Sequence, residues 1–279
     1  MRFLRPFKLL AWLGNDSLAR SELEMAAELY RLTYHEYPAS GNGSMTASWG
    51  LARAIEHTTD HPGEGFGFGR ACGWGLDVAA SAYAMGDDSL RQRFHPWFGL
   101  VVDTVEAGQS GCGGYLQATP HHSNGSIYRI RQNYESAITD NALRAIANTV
   151  FREFEDDKAE RLDDVMVTRA YGTISSAFWS QENGAPHGTV AVGPYDLTQP
   201  PYCGAATDHW ASPQTDTKYP WNSLAYAYEL TGDQVFLDRA ADVANTTSLA
   251  NFFDQNQLSD LDNRYAMLTL VQAIYEQTD

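Results

Sequence analysis

One ten-residue segment occurs twice in the chain, at residues 82–91 (AYAMGDDSLR) and 227–236 (AYELTGDQVF). The two copies align without gaps, with Asp88 on Asp233. In each copy a glycine that tolerates left-handed backbone closes one helix, an aspartate caps the next, and a tyrosine packs between them. The repeat therefore predicts helical hairpins near both ends of the chain. Such hairpins bury their apolar faces only by stacking, in a solenoid or a closed ring.

Apolar residues recur at helical spacing along most of the chain. The predicted helices cover roughly residues 3–13, 17–36, 46–57, 70–85, 88–107, 133–154, 158–180, 220–231, 233–252 and 260–277. Strands are limited to short candidates at 115–118 and 189–192. Because hairpins at both ends use the same turn, we predict one all-α domain over residues 1–279.

Two long segments, residues 108–132 and 181–219, lack the helical pattern. Connections of this length are uncommon in compact domains unless they are functional or disordered. Both segments carry aromatic residues and few runs of charge, which argues against disorder. We expect them to lie at one end of the helical array and to form a site there.

The charge of the chain excludes some classes of partner. Its 35 acidic and 19 basic residues give a net charge of −16, which argues against nucleic acid or an anionic membrane surface as the main partner. No run of 18 apolar residues predicts a membrane span. At the N-terminus, Pro6 and Lys8 interrupt the apolar run that a signal peptide would need. The compartment and the oligomeric state stay open.

The hairpin turns and residues 69–75 (GRACGWG) resemble the α/α-toroid class of carbohydrate-active proteins, the (α/α)6- and (α/α)7-barrel glycoside hydrolases and polysaccharide lyases. The resemblance implies an α/α toroid with a sugar-binding groove at its mouth. Similar turns occur in toroids that cyclise terpenes or peptides and in helical solenoids that only bind. A ring of twelve helices with two long loops needs about 260 residues. A chain of 279 residues therefore suits an incomplete ring as well as a complete one.

The first long segment holds the residue types that a polysaccharide lyase needs. β-Elimination from a uronate requires a cationic or amide group at the carboxylate, a base for the C5 proton and an acid at the leaving oxygen. The catalytic candidates are Arg129, Asn124, His122 and Tyr128. A protein of negative charge that acts on an anionic substrate must also concentrate its cations. Arg129 and Arg131 lie together in this segment.

Substrate-binding candidates lie at helix starts and in the long segments. Aromatic rings stack on the apolar faces of sugars, while polar neighbours bind the hydroxyl groups. The candidates are Arg70, Trp74, Trp179, Glu182, His187, Tyr202, Asp208, His209, Trp210 and Tyr219.

Two other functions remain open. A glycoside hydrolase would need two carboxylates across the glycosidic bond, for which Glu182 and Asp208 are the best pair. A helical array that binds a glycan or a protein without catalysis would need neither the lyase residues nor this pair of carboxylates. His122, His187, Asp208 and His209 could supply ligands to a divalent metal, but their spacing is not diagnostic, and we predict no cofactor.

Overall fold

The computed structural model of the protein describes residues 5–33, 36–37, 47–48, 70–107, 109, 113–115, 129–154, 156–175, 178–192, 209–211, 215 and 220–246. The helices of these residues are α1 (Arg5–Leu13), α2 (Ser17–Thr33), α3 (Arg70–Met85), α4 (Asp88–Ala107), α5 (Asn133–Ile146), α6 (Asp156–Ile174), α7 (Pro220–Thr231) and α8 (Gln234–Thr246). The strands are β1 (Glu36–Tyr37), β2 (Ala47–Ser48), β3 (Arg129–Gln132), β4 (Trp179–Ser180), β5 (Ala185–Pro186), β6 (Thr189–Val192) and β7 (His209–Ala211). Helices dominate the described part of the chain, which confirms the all-α prediction there.

Helices α3, α5 and α7 lie side by side and are largely buried. Ser223 of α7 donates a hydrogen bond to Asp140 of α5 (2.6 Å). Arg144, farther along α5, donates to Glu229, farther along α7 (2.6 Å). Because the contacts advance together along both helices, α5 and α7 run parallel. We call α3, α5 and α7 the buried row.

Helices α4 and α6 lie outside the buried row and also run parallel. A Cβ placed on Gly99 of α4 would lie 3.5 Å from Cε of Lys158 in α6. One turn farther along both helices, Arg161 of α6 donates to Asp103 of α4 (2.6 Å). We call these two helices the outer row.

The connections between the rows alternate in length. Residues 86–87, 152–155 and 232–233 join a buried-row helix to the helix that follows it. Since α5 runs parallel to α7, and α4 to α6, these three turns lie at one end of the array, which we call the short-turn end. The long connections 108–132 and 175–219 lead into α5 and α7 at the opposite end, the long-connection end.

A three-stranded antiparallel sheet joins the two long connections. Its order is β3-β6-β7, so the end of the first long connection pairs with two strands of the second. Strand β6 matches the predicted strand at 189–192, whereas β3 and β7 were not predicted from the sequence. The predicted strand at 115–118 has only residue 115 within the described part, in an isolated bridge with Gln109.

Several predicted helix boundaries are wrong. α2 ends at Thr33. Within the predicted helix 46–57, Ala47 and Ser48 form β2, which pairs with β1, and the other residues lie outside the described part of the chain. α6 ends at Ile174, before β4 begins. α5 passes into a π-helical turn, Ala147–Phe151. The predicted helix 260–277 also lies outside the described residues.

The two repeated turns use their residues differently. Asp233 caps α8 by accepting a hydrogen bond from the Val235 amide (3.1 Å). The α4 cap, however, is Asp87, which accepts from the Leu90 amide (2.8 Å), so Asp88 does not play the role that the alignment gave it. Gly232 is left-handed, with φ 67°, as predicted.

Gly86 is not left-handed, contrary to the prediction. A Cβ there would lie 2.9 Å from the Ala82 carbonyl oxygen and 2.8 Å from a methyl of Leu90. Glycine is therefore needed at this turn for close packing rather than for backbone handedness. The tyrosine of the first repeat packs as predicted, since Tyr83 meets Phe98 of α4 edge to face at 5.7 Å.

Candidate functional site

The predicted site residues fall into three groups. Six lie outside the described residues: His122, Asn124, Tyr128, Tyr202, Asp208 and Tyr219. Four lie on a described backbone element without a described side chain: Arg70 at the start of α3, Arg129 in β3, and His209 and Trp210 in β7. Four have described side chains: Trp74, Trp179, Glu182 and His187.

The register of the sheet places basic residues of both long connections on one face. Arg129 of β3 lies opposite Val192 of β6, which lies opposite His209 of β7. Opposed residues share a face, as do alternate residues along a strand, so Arg131 is on the same face and Trp210 is on the other. Two strand spacings separate the Arg129 and His209 backbones by about 10 Å.

Trp179 is a core residue. Its side chain is 1% exposed, and the Arg239 guanidinium lies 5.2 Å from the ring centroid. A ring covered in this way has no free face for a sugar, so its predicted place in an open groove is not what the structure shows. The signal was ambiguous, because a tryptophan at a helix end suits a groove as well as a core.

The other described candidates lie nearer the surface. Glu182 is exposed in the turn between β4 and β5. His187 is half-buried; its amide donates to the Phe178 carbonyl (2.9 Å), and the residue bridges to Thr215. Trp74 is half-buried in the first turns of α3.

A cluster of buried polar residues lies at the long-connection end and was not predicted. It joins the segment 113–115 to three helices, and we call it the buried polar cluster. Asn133, the first residue of α5, ties it to the sheet region, since its amide donates to the Gly188 carbonyl (3.0 Å) just before β6. The cluster consists of Tyr115, Asn133, Ser136, Asp140, Arg169, Thr173 and Ser223.

An ion pair is at the centre of this cluster. Nε of Arg169 lies 3.0 Å from Oδ2 of Asp140, and the two side chains are 0% and 4% exposed. The contact is ionic rather than an aligned hydrogen bond, because Nε has no hydrogen-bond partner. Asp140 accepts hydrogen bonds from the hydroxyls of Tyr115 and Ser223, both at 2.6 Å. Arg169 donates to Thr173 (3.0 Å). Together these contacts fix the positions of α5, α6 and α7.

Two members of the cluster retain hydrogen-bonding capacity. Asn133 is 4% exposed, and neither polar atom of its side chain bonds to a described residue; the same holds for the hydroxyl of Ser136, which is 0% exposed. A buried polar group without a partner costs about 1–3 kcal/mol, so such groups are usually satisfied by protein or water. Spaced by three, both lie on the same face of α5, in its first turns.

The sequence does carry a signal for this cluster. Arg169 follows Leu162 and Val165 at spacings of seven and four, so it occupies the apolar stripe of α6. Asp140 precedes Leu143 by three and belongs to the buried stripe of α5 in the same way. Charged residues of opposite sign in two buried stripes indicate a buried pair.

The described residues contain no group of three or more His, Cys, Asp or Glu side chains that could hold a metal ion. Of the four metal-ligand candidates, His122 and Asp208 lie outside the described part. No helix in that part is long and apolar enough to cross a membrane.

Comparison of the chain with protein-family models, curated proteins and solved structures finds no match in any of the three.

Proposed function

We propose that this chain is a polysaccharide lyase that cleaves a uronate-containing glycan by β-elimination. Its site lies at the long-connection end of a helical-hairpin array, which we take to be a complete or incomplete α/α toroid. The observation that carries the proposal is the register of β3, β6 and β7. It assembles Arg129, Arg131 and His209 from the two long connections onto one sheet face.

Such a face suits an anionic substrate. The chain has a net charge of −16, so an anionic glycan approaches only where cations are concentrated. Lysine occurs only at positions 8, 158 and 218, so 16 of the 19 basic residues are arginine. The planar guanidinium forms paired hydrogen bonds to a carboxylate, which a lysine does not.

The chemistry assigns a role to each candidate. A guanidinium at the uronate carboxylate stabilises the negative charge that develops when a base removes the C5 proton. The electron pair then forms the C4–C5 double bond, the C4–oxygen bond breaks, and an acid protonates the leaving oxygen. We assign Arg129 to the carboxylate, with Asn124 beside it, His122 to the base and Tyr128 to the acid. Tyr128 directly precedes Arg129, so their Cα atoms are about 3.8 Å apart.

The buried polar cluster adjoins the sheet of this site. Asn133 follows β3 directly, and the Asp140–Arg169 pair fixes the helix that Asn133 begins. A catalytic group is effective only when its supporting elements are rigid, because small displacements weaken the interactions that stabilise the transition state. The cluster therefore gives the sheet a fixed base.

The test is incubation of the full chain with a panel of polyuronates, while ultraviolet absorbance and reducing ends are both recorded. Elimination creates an unsaturated uronate that absorbs in the ultraviolet, so we expect both signals to rise together. Reducing ends without absorbance would favour the hydrolase with Glu182 and Asp208. Glycan binding without either signal would favour the array that only binds.

A further inference from the structure

The first hairpin, α1 with α2, exposes an unusual amount of apolar surface. Ten large hydrophobic side chains are exposed among the described residues, and eight of them lie in this hairpin. We call these eight the first-hairpin patch: Leu9, Leu10, Trp12, Leu13, Leu18, Met25, Leu29 and Leu32. The least exposed of them is 51% accessible.

Helix α2 has two apolar faces rather than one. Ala19, Leu23 and Ala27 form the buried face, at 0–2% exposure. Leu18 and Met25 are on another face, at 68% and 62%. The exposed positions of α4 and α6 are chiefly charged or polar, as expected for helices that meet solvent. The second face of α2 therefore has the composition of a covered surface.

The area of the patch matches what a protein partner covers. Each of the eight side chains exposes on the order of 100 Å² of apolar surface, so together they offer about 800 Å². A typical monomer exposes no apolar patch larger than about 300–600 Å². One side of a standard protein–protein interface buries about 800 Å².

We propose that a second copy of this chain covers the first-hairpin patch in a two-fold dimer. Leu18, Met25 and Leu32 are spaced by seven residues, so the stripe is symmetric about Met25. When two such helices pair in antiparallel fashion about Met25, Leu18 packs against the partner's Leu32, and Met25 packs against the partner's Met25. A two-fold interface requires this kind of self-complementary surface.

The charges of α2 fit the same partner. Glu28 already pairs with Arg31 and with Arg93, both at 2.9 Å, so a second copy can approach without leaving this carboxylate unpaired. Residues 5–33 hold four basic and four acidic side chains, and one of the basic ones, Lys8 of α1, is paired with Asp77 at 2.8 Å. The hairpin therefore has no net positive charge to attract an anionic lipid surface. A protein surface of the same composition suits the patch better than a membrane does.

The test is the mass of the full chain in solution, measured by analytical ultracentrifugation across a dilution series. We expect a monomer–dimer equilibrium. Met25→Glu places two carboxylates at the two-fold axis and should weaken association by at least about 100-fold. Phe154→Glu is the matched control, because Phe154 is 74% exposed and lies outside the first hairpin. It should leave the dimer unchanged.

A charge exchange tests the symmetry itself. Leu18→Lys combined with Leu32→Lys should abolish the dimer, whereas Leu18→Lys combined with Leu32→Glu should restore much of it by forming two pairs across the axis. Circular dichroism establishes that each variant is folded.

Three results would overturn the proposal. The wild-type chain could remain a monomer at every concentration, or Met25→Glu could dimerise as the wild type does. In the third, the wild-type chain would bind vesicles of anionic lipid and Met25→Glu would abolish that binding.

Discussion

The two ends of the helical array use aspartate in opposite ways. At the short-turn end, Asp87 and Asp233 cap helices through hydrogen bonds to backbone amides only two or three residues away. At the long-connection end, Asp140 is buried and contacts Arg169 of α6 and Ser223 of α7. The first use needs only local sequence, whereas the second needs three helices in place. The array therefore has one end held by local contacts and one end held by tertiary contacts.

The largest expected difference between the ends comes from the same substitution made at each. Asp140→Asn leaves the Arg169 charge buried without a counter-charge and should reduce the free energy of unfolding by about 3–5 kcal/mol. Asp87→Asn should change it little, because asparagine caps helices as well as aspartate does. Urea unfolding followed by circular dichroism measures both. Equal losses for the two variants would remove the distinction between the ends.

Two of the three left-handed glycines among the described residues give the next contrast. Gly113, at the long-connection end, has φ 82°, and an added Cβ would collide with the Thr168 carbonyl oxygen. Gly232, at the short-turn end, has φ 67°, and an added Cβ would meet nothing within 4 Å. Alanine at 113 should therefore cost at least about 3 kcal/mol, and alanine at 232 only about 1–2 kcal/mol. Thermal or urea unfolding that ranks the two in the reverse order would contradict this packing.

The short-turn end provides a smaller test of its own. Asp87→Ala removes the cap of α4 and should cost about 1 kcal/mol, whereas Asp88→Ala should cost much less, since Asp88 is not the capping residue. The same unfolding measurement separates them. A larger loss at 88 would restore the role that the gapless alignment assigns to it.

The smallest expected effect is on the pH dependence of the free energy of unfolding. Burial, and then the negative charge of Asp163, raises the pKa of the Tyr226 phenol well above its ordinary value. The pKa of this phenol is thus higher in the folded protein than in the unfolded chain, where it is about 10. The contribution of Tyr226 to the free energy of unfolding is therefore fully present below about pH 10 and is lost as the pH rises above that value. Tyr226→Phe should therefore flatten the alkaline fall in unfolding free energy. Tyr171→Phe should flatten it less, because Tyr171 is 41% exposed. Equal slopes in Tyr226→Phe and the wild type would contradict the assignment.

The sequence predicts features that depend on local contacts better than features that depend on tertiary contacts. The helix bounds 70–85, 88–107 and 220–231 match the structure, because periodicity and capping are local. The identity of the α4 cap was missed, since two adjacent aspartates offer the same signal. Strands β3 and β7 were missed because pairing with β6, and not their own pattern, makes them strands.

The candidate site is harder to predict than the fold, because its residues meet only through tertiary contacts. The spacing of Arg129 and His209 along the chain says nothing about a shared sheet face until the register is known. Trp179 shows that residue type alone can mislead. Tryptophan suits a sugar-binding groove, but this one is buried against Arg239. The Asp140–Arg169 pair could have been predicted from the sequence, because both residues occupy apolar stripes of their helices.

We propose that the long-connection end carries the cleavage activity, and a pair of arginine variants tests this proposal. Arg129→Gln removes a guanidinium from the sheet face, and Arg152→Gln removes one from the short-turn end, where Arg152 pairs with Asp163. We expect Arg129→Gln to lower kcat/KM for cleavage of a polyuronate by at least about 100-fold. Arg152→Gln, a surface change, should leave it within about twofold of the wild type. Undiminished cleavage by Arg129→Gln would show that this sheet face is not the site of cleavage.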